Sequence, residues 1–229
     1  AWESAEMIVY RSLMHCAPSR CLSIVDIDLS RFKTYARLMA RKRGLDHEAV
    51  ISAGFSILDR NGTDGVTLRA VADLLDVRSP SLYSHVAGLQ GLLDDLAIAA
   101  TAAFGAALRD SAVGVAGDEA IRAFAASYRR WAMTHPARYG LTLRSVDHSH
   151  RRRAGSDAVE TMDAILAHYG LEPREARRVG RSLRASLHGF VTLQAADSLG
   201  RGDHDASFDA LIDLFLDGLR SRVVARSEA

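Results

Sequence analysis

The residues of this chain best suited to chemistry are concentrated in positions 66–86, which read VTLRAVADLLDVRSPSLYSHV. Arg69 carries a planar guanidinium whose paired donors match the O6 and N7 acceptors of guanine. Ser81 and Ser84 offer small hydroxyl groups, and Pro80 offers an apolar edge that fits a thymine methyl group. This combination favours contact with the major groove of double-stranded DNA.

Two further side chains of this stretch are suited to phosphate oxygens. Tyr83 and His85 can reach the DNA backbone, where contacts position a protein without reading the base sequence. A basic arm, Arg41-Lys42-Arg43, lies upstream and can neutralise phosphates. The candidate DNA-binding residues are Arg41, Lys42, Arg43, Thr67, Arg69, Arg78, Ser79, Pro80, Ser81, Tyr83, Ser84 and His85.

Short amphipathic helices are predicted to position these side chains. Apolar residues recur at i, i+3, i+4 and i+7 in a helix of about eight residues, at Leu68, Val71, Ala72 and Leu75. A tight turn containing Asp76 follows, and we expect Ser79 to cap a third helix with Pro80 at its first position. Leu82 and Val86 should point back into the core. Two such helices form a helix-turn-helix, although any amphipathic helical hairpin would show a similar pattern.

The stretch from Asp46 to about Leu96 resembles the N-terminal domain of the TetR family of transcriptional repressors, near the tetracycline-repressor type. The matching positions of the family pattern are Thr67, Ala72, Val77, Leu82, Tyr83, His85 and Leu92. Residues 127–141 (SYRRWAMTHPARYGL) and 183–200 (LRASLHGFVTLQAADSLG) are similar to the C-terminal ligand-sensing domain of one TetR subgroup. The resemblance implies a three-helix DNA-binding domain, a connecting fourth helix, and an α-helical domain that dimerises and holds an inducer.

Two positions depart from the family pattern. Asp76 stands where the family usually has a turn glycine, and aspartate tolerates a left-handed backbone better than most residues. Leu89 stands where the family usually has a phosphate-binding lysine. Residues 41–95 carry six basic and eight acidic side chains, a balance of −2. We therefore expect DNA affinity to depend on the basic arm and on dimerisation.

Composition favours an all-α fold for the whole chain. The 229 residues include four prolines and 48% hydrophobic residues, enough for a buried core. We expect a mobile N-terminal extension over residues 1–38, a helix-turn-helix domain over 39–95, and a ligand-sensing and dimerisation domain over 96–229. The longest apolar run, residues 96–108, is shorter than a membrane span, and no signal peptide is legible. These features predict a cytoplasmic protein.

Aromatic and apolar residues of the second half predict a ligand cavity between helices. Such a cavity would take a mostly apolar molecule oriented by a few polar groups. The candidate ligand-binding residues are Phe104, Phe124, Tyr128, Trp131, His135, Tyr139, Met162, Leu166 and His188. The alternative is that these residues form an ordinary core.

The last two predicted helices, about residues 174–197 and 206–225, are expected to form a homodimer interface. In the second of them Phe208, Leu211, Ile212, Phe215, Leu219 and Val223 form one stripe, while Leu214 and Leu216 add apolar surface elsewhere. His148 and His150 lack a third ligand at recognisable spacing, so no metal or cofactor is expected. We find no nucleophile elbow, phosphate loop or di-metal motif, which disfavours an enzyme. A dimeric DNA-binding protein without an inducer stays the closest alternative.

Overall fold

The computed structural model describes residues 45–144 and 156–227 and contains eight α-helices and one short 3₁₀ helix there. The helices are α1 (His47–Gly65), α2 (Leu68–Leu75), α3 (Gly88–Ser111), α4 (Gly117–Thr134), α5 (Pro136–Thr142), α6 (Ser156–Ala167), α7 (Pro173–Ala195) and α8 (His204–Ser227). The 3₁₀ helix, Ser79–Ser84, lies between α2 and α3 and is called the recognition helix below. The all-α fold class is confirmed. The expected extension over residues 1–38, the basic arm and the His148–His150 pair lie outside the described residues.

Local side-chain chemistry sets the start of the first two helices. The Asp46 carboxylate accepts a hydrogen bond from the Ala49 N–H at 2.8 Å, which caps α1 as the sequence predicted. Thr67 caps α2 in the same way, by accepting from the Ala70 N–H at 3.1 Å. Asp76 ends α2 in the left-handed conformation, with φ 58° and ψ 42°. The turn therefore keeps the backbone of a glycine turn without the glycine.

The recognition helix differs from its prediction in two respects. It is a 3₁₀ helix, and its N-cap is Arg78, whose carbonyl accepts the first helical bond from the Ser81 N–H at 2.9 Å. The expectation that Ser79 caps this helix was therefore wrong by one residue. No side chain caps the helix, and Pro80 follows Ser79 in its first turn, where a missing N–H costs no helical bond.

Helix α3 joins two hydrophobic cores. Its first half contributes Leu92, Leu96 and Ala100 to a core shared with α1 and α2. Its second half contributes Phe104 and Leu108 to a larger core built with α4, α6, α7 and α8. This helix has the length and hydropathy of a membrane-crossing segment, yet here it is the central packing element of the chain.

The apolar residues of α8 are distributed between core and surface in part differently from the prediction. Leu216 is fully buried with Phe208, Ile212 and Leu219, whereas the sequence analysis placed it outside the core face. Leu216 follows Ile212 by four residues and therefore occupies the same side of the helix. Leu214 lies outside this stripe and is 74% exposed. The Val223 side chain lies outside the described residues.

Candidate functional site

The recognition helix divides its side chains between the core and the surface. Leu82 and Val86 are buried in the first core together with Leu75, as predicted. Pro80, Ser81, Tyr83 and Ser84 are exposed, and Ser79 and His85 are partly exposed. This anchoring holds a row of hydroxyl and apolar groups toward solvent, the arrangement that a groove-reading helix requires.

Arg69 lies near the start of α2 with 89% of its side chain exposed. Its Nε atom is 3.8 Å from the Asp73 carboxylate, one helical turn away. An exposed ion pair of this kind contributes little to the stability of the fold and leaves the guanidinium available to another partner. Arg78 is also exposed, whereas Thr67 uses its hydroxyl oxygen as the α2 cap.

Sequence reasoning missed His47, the first residue of α1. Its Nδ1 atom lies 3.1 Å from the carbonyl oxygen of His85, just after the recognition helix, and its Nε2 atom lies 3.9 Å from the Asp95 carboxylate of α3. His47 and His85 are 38 positions apart, so no local periodicity could have joined them.

Most of the predicted ligand-binding aromatic residues form a contiguous cluster, here called the aromatic cluster. The ring centroids of Phe104 and Trp131 are 4.8 Å apart, and those of Phe104 and Tyr128 are 4.9 Å apart. Tyr139 packs edge-on against Phe104 at 5.8 Å, and Trp131 contacts the His135 ring at 5.0 Å. Contacts of this geometry are favourable beyond simple burial.

A chain of hydrogen bonds crosses the aromatic cluster. The hydroxyl oxygens of Tyr128 and Tyr139 are 2.8 Å apart, and the Tyr139 hydroxyl lies 2.7 Å from His188 Nδ1. Burial raises the pKa of both tyrosine hydroxyls, so both stay protonated at neutral pH. The chain links α4, α5 and α7 through polar side chains within an otherwise apolar region.

The other predicted ligand-binding residues surround this cluster in the same core. Phe124, Met162 and Leu166 are buried there, on helices that pack against one another. Gly180 lets α7 approach α6 closely, since a β-carbon at this position would lie 3.1 Å from the Met162 side chain. The structure thus brings together the candidates predicted on five different helices.

Helix α5 contacts both cores of the chain. Tyr139 is buried in the aromatic cluster, whereas Leu141 is buried in the first core with α1. Arg138 donates hydrogen bonds to both carboxylate oxygens of Asp59 on α1, with its closest nitrogen at 2.6 Å. Its guanidinium also lies 4.3 Å from the ring centre of Phe55. Sequence reasoning did not single out Arg138, because its partners are about 80 positions away.

Two open grooves lie away from the aromatic cluster. A groove of about 660 Å³ runs between α7 and α8, bordered by Arg178, Ser182 and Phe215. A second, of about 510 Å³, lies between the end of α3, the start of α4 and α6. Over residues 45–144 and 156–227, no group of three or more histidine, cysteine, aspartate or glutamate side chains could hold a metal ion.

These features define a helix-turn-helix DNA-binding regulator with a helical second domain. Comparison with known proteins identifies its family. The model described as "Tetracyclin repressor-like, C-terminal domain" matches residues 121–215. The HTH-type transcriptional regulator Rv0681 of Mycobacterium tuberculosis is 30% identical over 187 residues, covering 80% of this chain and 86% of that protein. The chain belongs to the TetR family of transcriptional regulators.

Further similarities agree with this assignment. YobS of Bacillus subtilis, also an HTH-type transcriptional regulator, is 32% identical over 79% of this chain and 96% of its own length. The class D tetracycline repressor of Escherichia coli is 43% identical over 54 residues, 24% of this chain and 25% of that protein.

Solved structures share the fold. A Rhodococcus sp. RHA1 protein of unknown function has a TM-score of 0.67 at 25% identity, covering 75% of this chain and 94% of that one. TetR-Q116A from Acinetobacter baumannii AYE, in complex with minocycline, has a TM-score of 0.60 at 24% identity and covers 77% and 97%.

Proposed function

We propose that this regulator is a homodimeric, cytoplasmic repressor that binds a palindromic operator and is released by a small, mostly apolar molecule. The observation that carries the ligand response is the position of α5 between the two cores. A molecule that displaces Tyr139 within the aromatic cluster must also move Arg138 and Leu141, which are fixed on the DNA-binding half. The two sites would then be coupled through one short rigid helix.

Exposed small and apolar residues on α7 and α8 support the homodimer. On α7, Ser186, Gly189 and Leu193 are spaced three and four residues apart and at least partly exposed. On α8, Leu214 and Gly218 lie outside the core stripe and are exposed. Such a face favours close packing against an identical face around a twofold axis. The dimer would place two recognition helices in successive major grooves on one side of the duplex.

One experiment tests the operator and the inducer together. Duplexes enriched by the full chain from a random-sequence library should contain an inverted repeat. Trp2 and Trp131 are the two tryptophans of the chain, so a Trp2→Phe variant makes fluorescence report on Trp131 alone. Minocycline is a first probe and a panel of apolar aromatic compounds follows. A compound that quenches Trp131 should weaken binding to the enriched duplex by about 5- to 150-fold.

Two results would contradict the proposal. Enrichment of duplexes that contain no inverted repeat would contradict the palindromic operator. Quenching of Trp131 with unchanged affinity for the duplex would contradict the coupling between the two sites.

A second candidate is a dimeric DNA-binding protein without an inducer. The rings of the aromatic cluster contact one another directly, and the Tyr128, Tyr139 and His188 side chains satisfy each other's hydrogen bonds. This arrangement is also that of an ordinary, filled core. The candidate predicts that none of the compounds quenches Trp131 at concentrations that leave the fold intact.

A further inference from the structure

We infer that Arg129 is a positioning residue that couples the aromatic cluster to the dimer face, so that dimerisation and the packing of the cluster depend on each other. The dimer face is the exposed side of α7 and α8 that includes Gly189, Leu193 and Leu214. This coupling rests on the proposed function for the homodimer. It deepens that function by adding a second route out of the cluster, through α4 to α7 and α8.

Arg129 joins three helices through one guanidinium. From α4, its Nε atom donates to the side-chain oxygen of Gln194 on α7 at 2.9 Å, and an Nη atom donates to the Asp205 carboxylate of α8 at 2.7 Å. The guanidinium carbon also lies 4.9 Å from the ring centre of Phe208 and 5.6 Å from that of Phe190. Two hydrogen bonds and two ring contacts thus hold α4, α7 and α8 in one arrangement.

The Arg129 side chain is largely buried, with 17% of its surface exposed. A buried cation is costly to separate from its partners, and a guanidinium holds its donors in one rigid plane. The Asp205 carboxylate is 84% exposed and contributes little by itself, so the Gln194 bond and the two rings carry most of the contact. A movement of α4 should therefore take the adjoining turn of α7 with it.

The partners of Arg129 on α7 are sequence neighbours of the dimer face. Phe190 follows Gly189, and Gln194 follows Leu193. Consecutive residues of an α-helix point about 100° apart, because one turn contains 3.6 residues. The same turn of α7 therefore presents one side to Arg129 and another side to the proposed partner subunit.

The other end of this link lies in the aromatic cluster. Tyr128 immediately precedes Arg129 on α4, and its hydroxyl oxygen lies 2.8 Å from that of Tyr139. Trp131 follows Arg129 by two residues, and both Tyr128 and Trp131 pack against the Phe104 ring. Because these positions share less than one turn of α4, a shift of the cluster rings should move Arg129 as well.

A second arginine next to the cluster makes the arrangement two-sided. On α5, Arg138 precedes Tyr139 and holds α1 through the Asp59 carboxylate. Each tyrosine of the hydrogen-bonded pair thus has an arginine beside it in the sequence, Arg129 beside Tyr128 and Arg138 beside Tyr139. One arginine leads to the DNA-binding half and the other to the dimer face. A coupling of this kind is reciprocal, so a change in the cluster must alter dimerisation by the same factor as dimerisation alters the cluster.

The first test perturbs the cluster and measures the dimer. Phe104 lies on α3, outside the dimer face, and Phe104→Leu loosens the packing around Tyr128 and Trp131. Sedimentation velocity of the full chain over a concentration series gives the dimer dissociation constant. Phe104→Leu should raise this constant by about 2- to 10-fold in the wild type and by less than about twofold in an Arg129→Lys background. Lysine keeps the charge and loses the planar pair of bonds.

Arg122 provides the matched control. It also lies on α4 and pairs with an aspartate of α8, Asp213, at 2.5 Å, but none of its described contacts reaches α7. In an Arg122→Lys background, Phe104→Leu should therefore raise the dimer dissociation constant as much as in the wild type. Thermal unfolding checks that each variant is folded.

The second test needs no dimer. In the Trp2→Phe variant, acrylamide quenching reports on Trp131 alone. Gln194→Ala removes the shielded partner of Arg129 and should raise the quenching constant, because the neighbouring turn of α4 is then held less firmly. Asp213→Ala, which removes the partner of the control arginine, should leave the quenching constant unchanged. Equal quenching in all these chains would show that α7 does not act on the cluster through Arg129.

Two further results would overturn the inference. If Phe104→Leu leaves the dimer dissociation constant of the wild type unchanged, the cluster and the dimer face are independent. If the change persists in the Arg129→Lys background, it reaches α7 through the hydrogen bond between Tyr139 and His188. A wild-type chain that stays monomeric would contradict the proposed homodimer, and the quenching of Trp131 would still decide whether Arg129 links the cluster to α7.

Discussion

At the scale of single residues, the exposed Arg69 side chain can be tested as a base reader. Arg69→Ala should weaken binding to the enriched duplex by about 1–3 kcal/mol and change binding to random DNA little. The physical reason is that a bidentate contact to guanine is lost only where that guanine is present. Fluorescence anisotropy with both duplexes measures the difference. Equal losses on the two duplexes would make Arg69 a phosphate contact.

The surface positions of side chains at this scale were easier to predict than their contacts. Arg69, Ser81 and Tyr83 could be proposed from side-chain type and helical spacing, and the structure places all three at the surface. His47 could not be predicted in this way, because its contacts depend on how three helices meet. Propensity and periodicity describe one element at a time, whereas contacts of this kind form only in the packed domain.

Leu89 is the second residue whose role can be tested. It is the second residue of α3, is 40% exposed, and follows Gly88 in a left-handed backbone. Leu89→Lys should tighten binding to enriched and random duplexes alike, because the helix N-terminus and the ammonium would both favour a phosphate. The slope of log K against log salt should steepen by about 0.9 for each new contact. An unchanged slope would mean that this end of α3 does not approach the DNA backbone.

At the scale of elements, the sequence predicted where helices lie but not every detail of their ends. The N-cap at Asp46 and the turn at Asp76 follow from local hydrogen bonding and backbone preference, whereas the Thr67 cap of α2 was not predicted. The recognition segment is a 3₁₀ helix whose cap is Arg78, which local rules did not predict. The contact of α5 with both cores was also beyond prediction, since Tyr139 and Leu141 enter different cores only after the chain has folded.

The link between α5 and α1 gives the prediction at this scale. Arg138 and Asp59 should show a coupling of about 0.5–1 kcal/mol in a double-mutant cycle of thermal unfolding, since both side chains are about a third exposed. Arg138→Lys is the matched control, because it keeps the charge and loses the two-pronged contact. Strictly additive effects of Arg138→Ala and Asp59→Ala would show that the ion pair does not hold α5 on the DNA-binding half.

At the scale of the whole molecule, two hydrophobic cores are joined within one chain, so a change in one core can reach the other. Helix α3 belongs to both cores, and α5 bridges them a second time. The face formed by α7 and α8 carries exposed apolar side chains that the core of the single chain does not use. Dimerisation through that face would relate two recognition helices by a twofold axis, and a palindromic operator would mirror that symmetry.

Leu214 tests this arrangement because it is the most exposed large apolar residue among the described side chains of α8. Leu214→Glu places a charge in the proposed twofold interface, where burial without a partner is costly. Val113→Glu is the matched control: Val113 is 76% exposed against 74% for Leu214, but it lies on the link between α3 and α4. Sedimentation velocity at micromolar concentration should show dimers for the wild type and for Val113→Glu, and monomers for Leu214→Glu. The monomer should also bind the enriched duplex roughly 10²- to 10⁴-fold more weakly, because the second half-site no longer adds to the first. A wild-type monomer, or a Leu214→Glu variant that remains dimeric, would place the interface elsewhere or remove it.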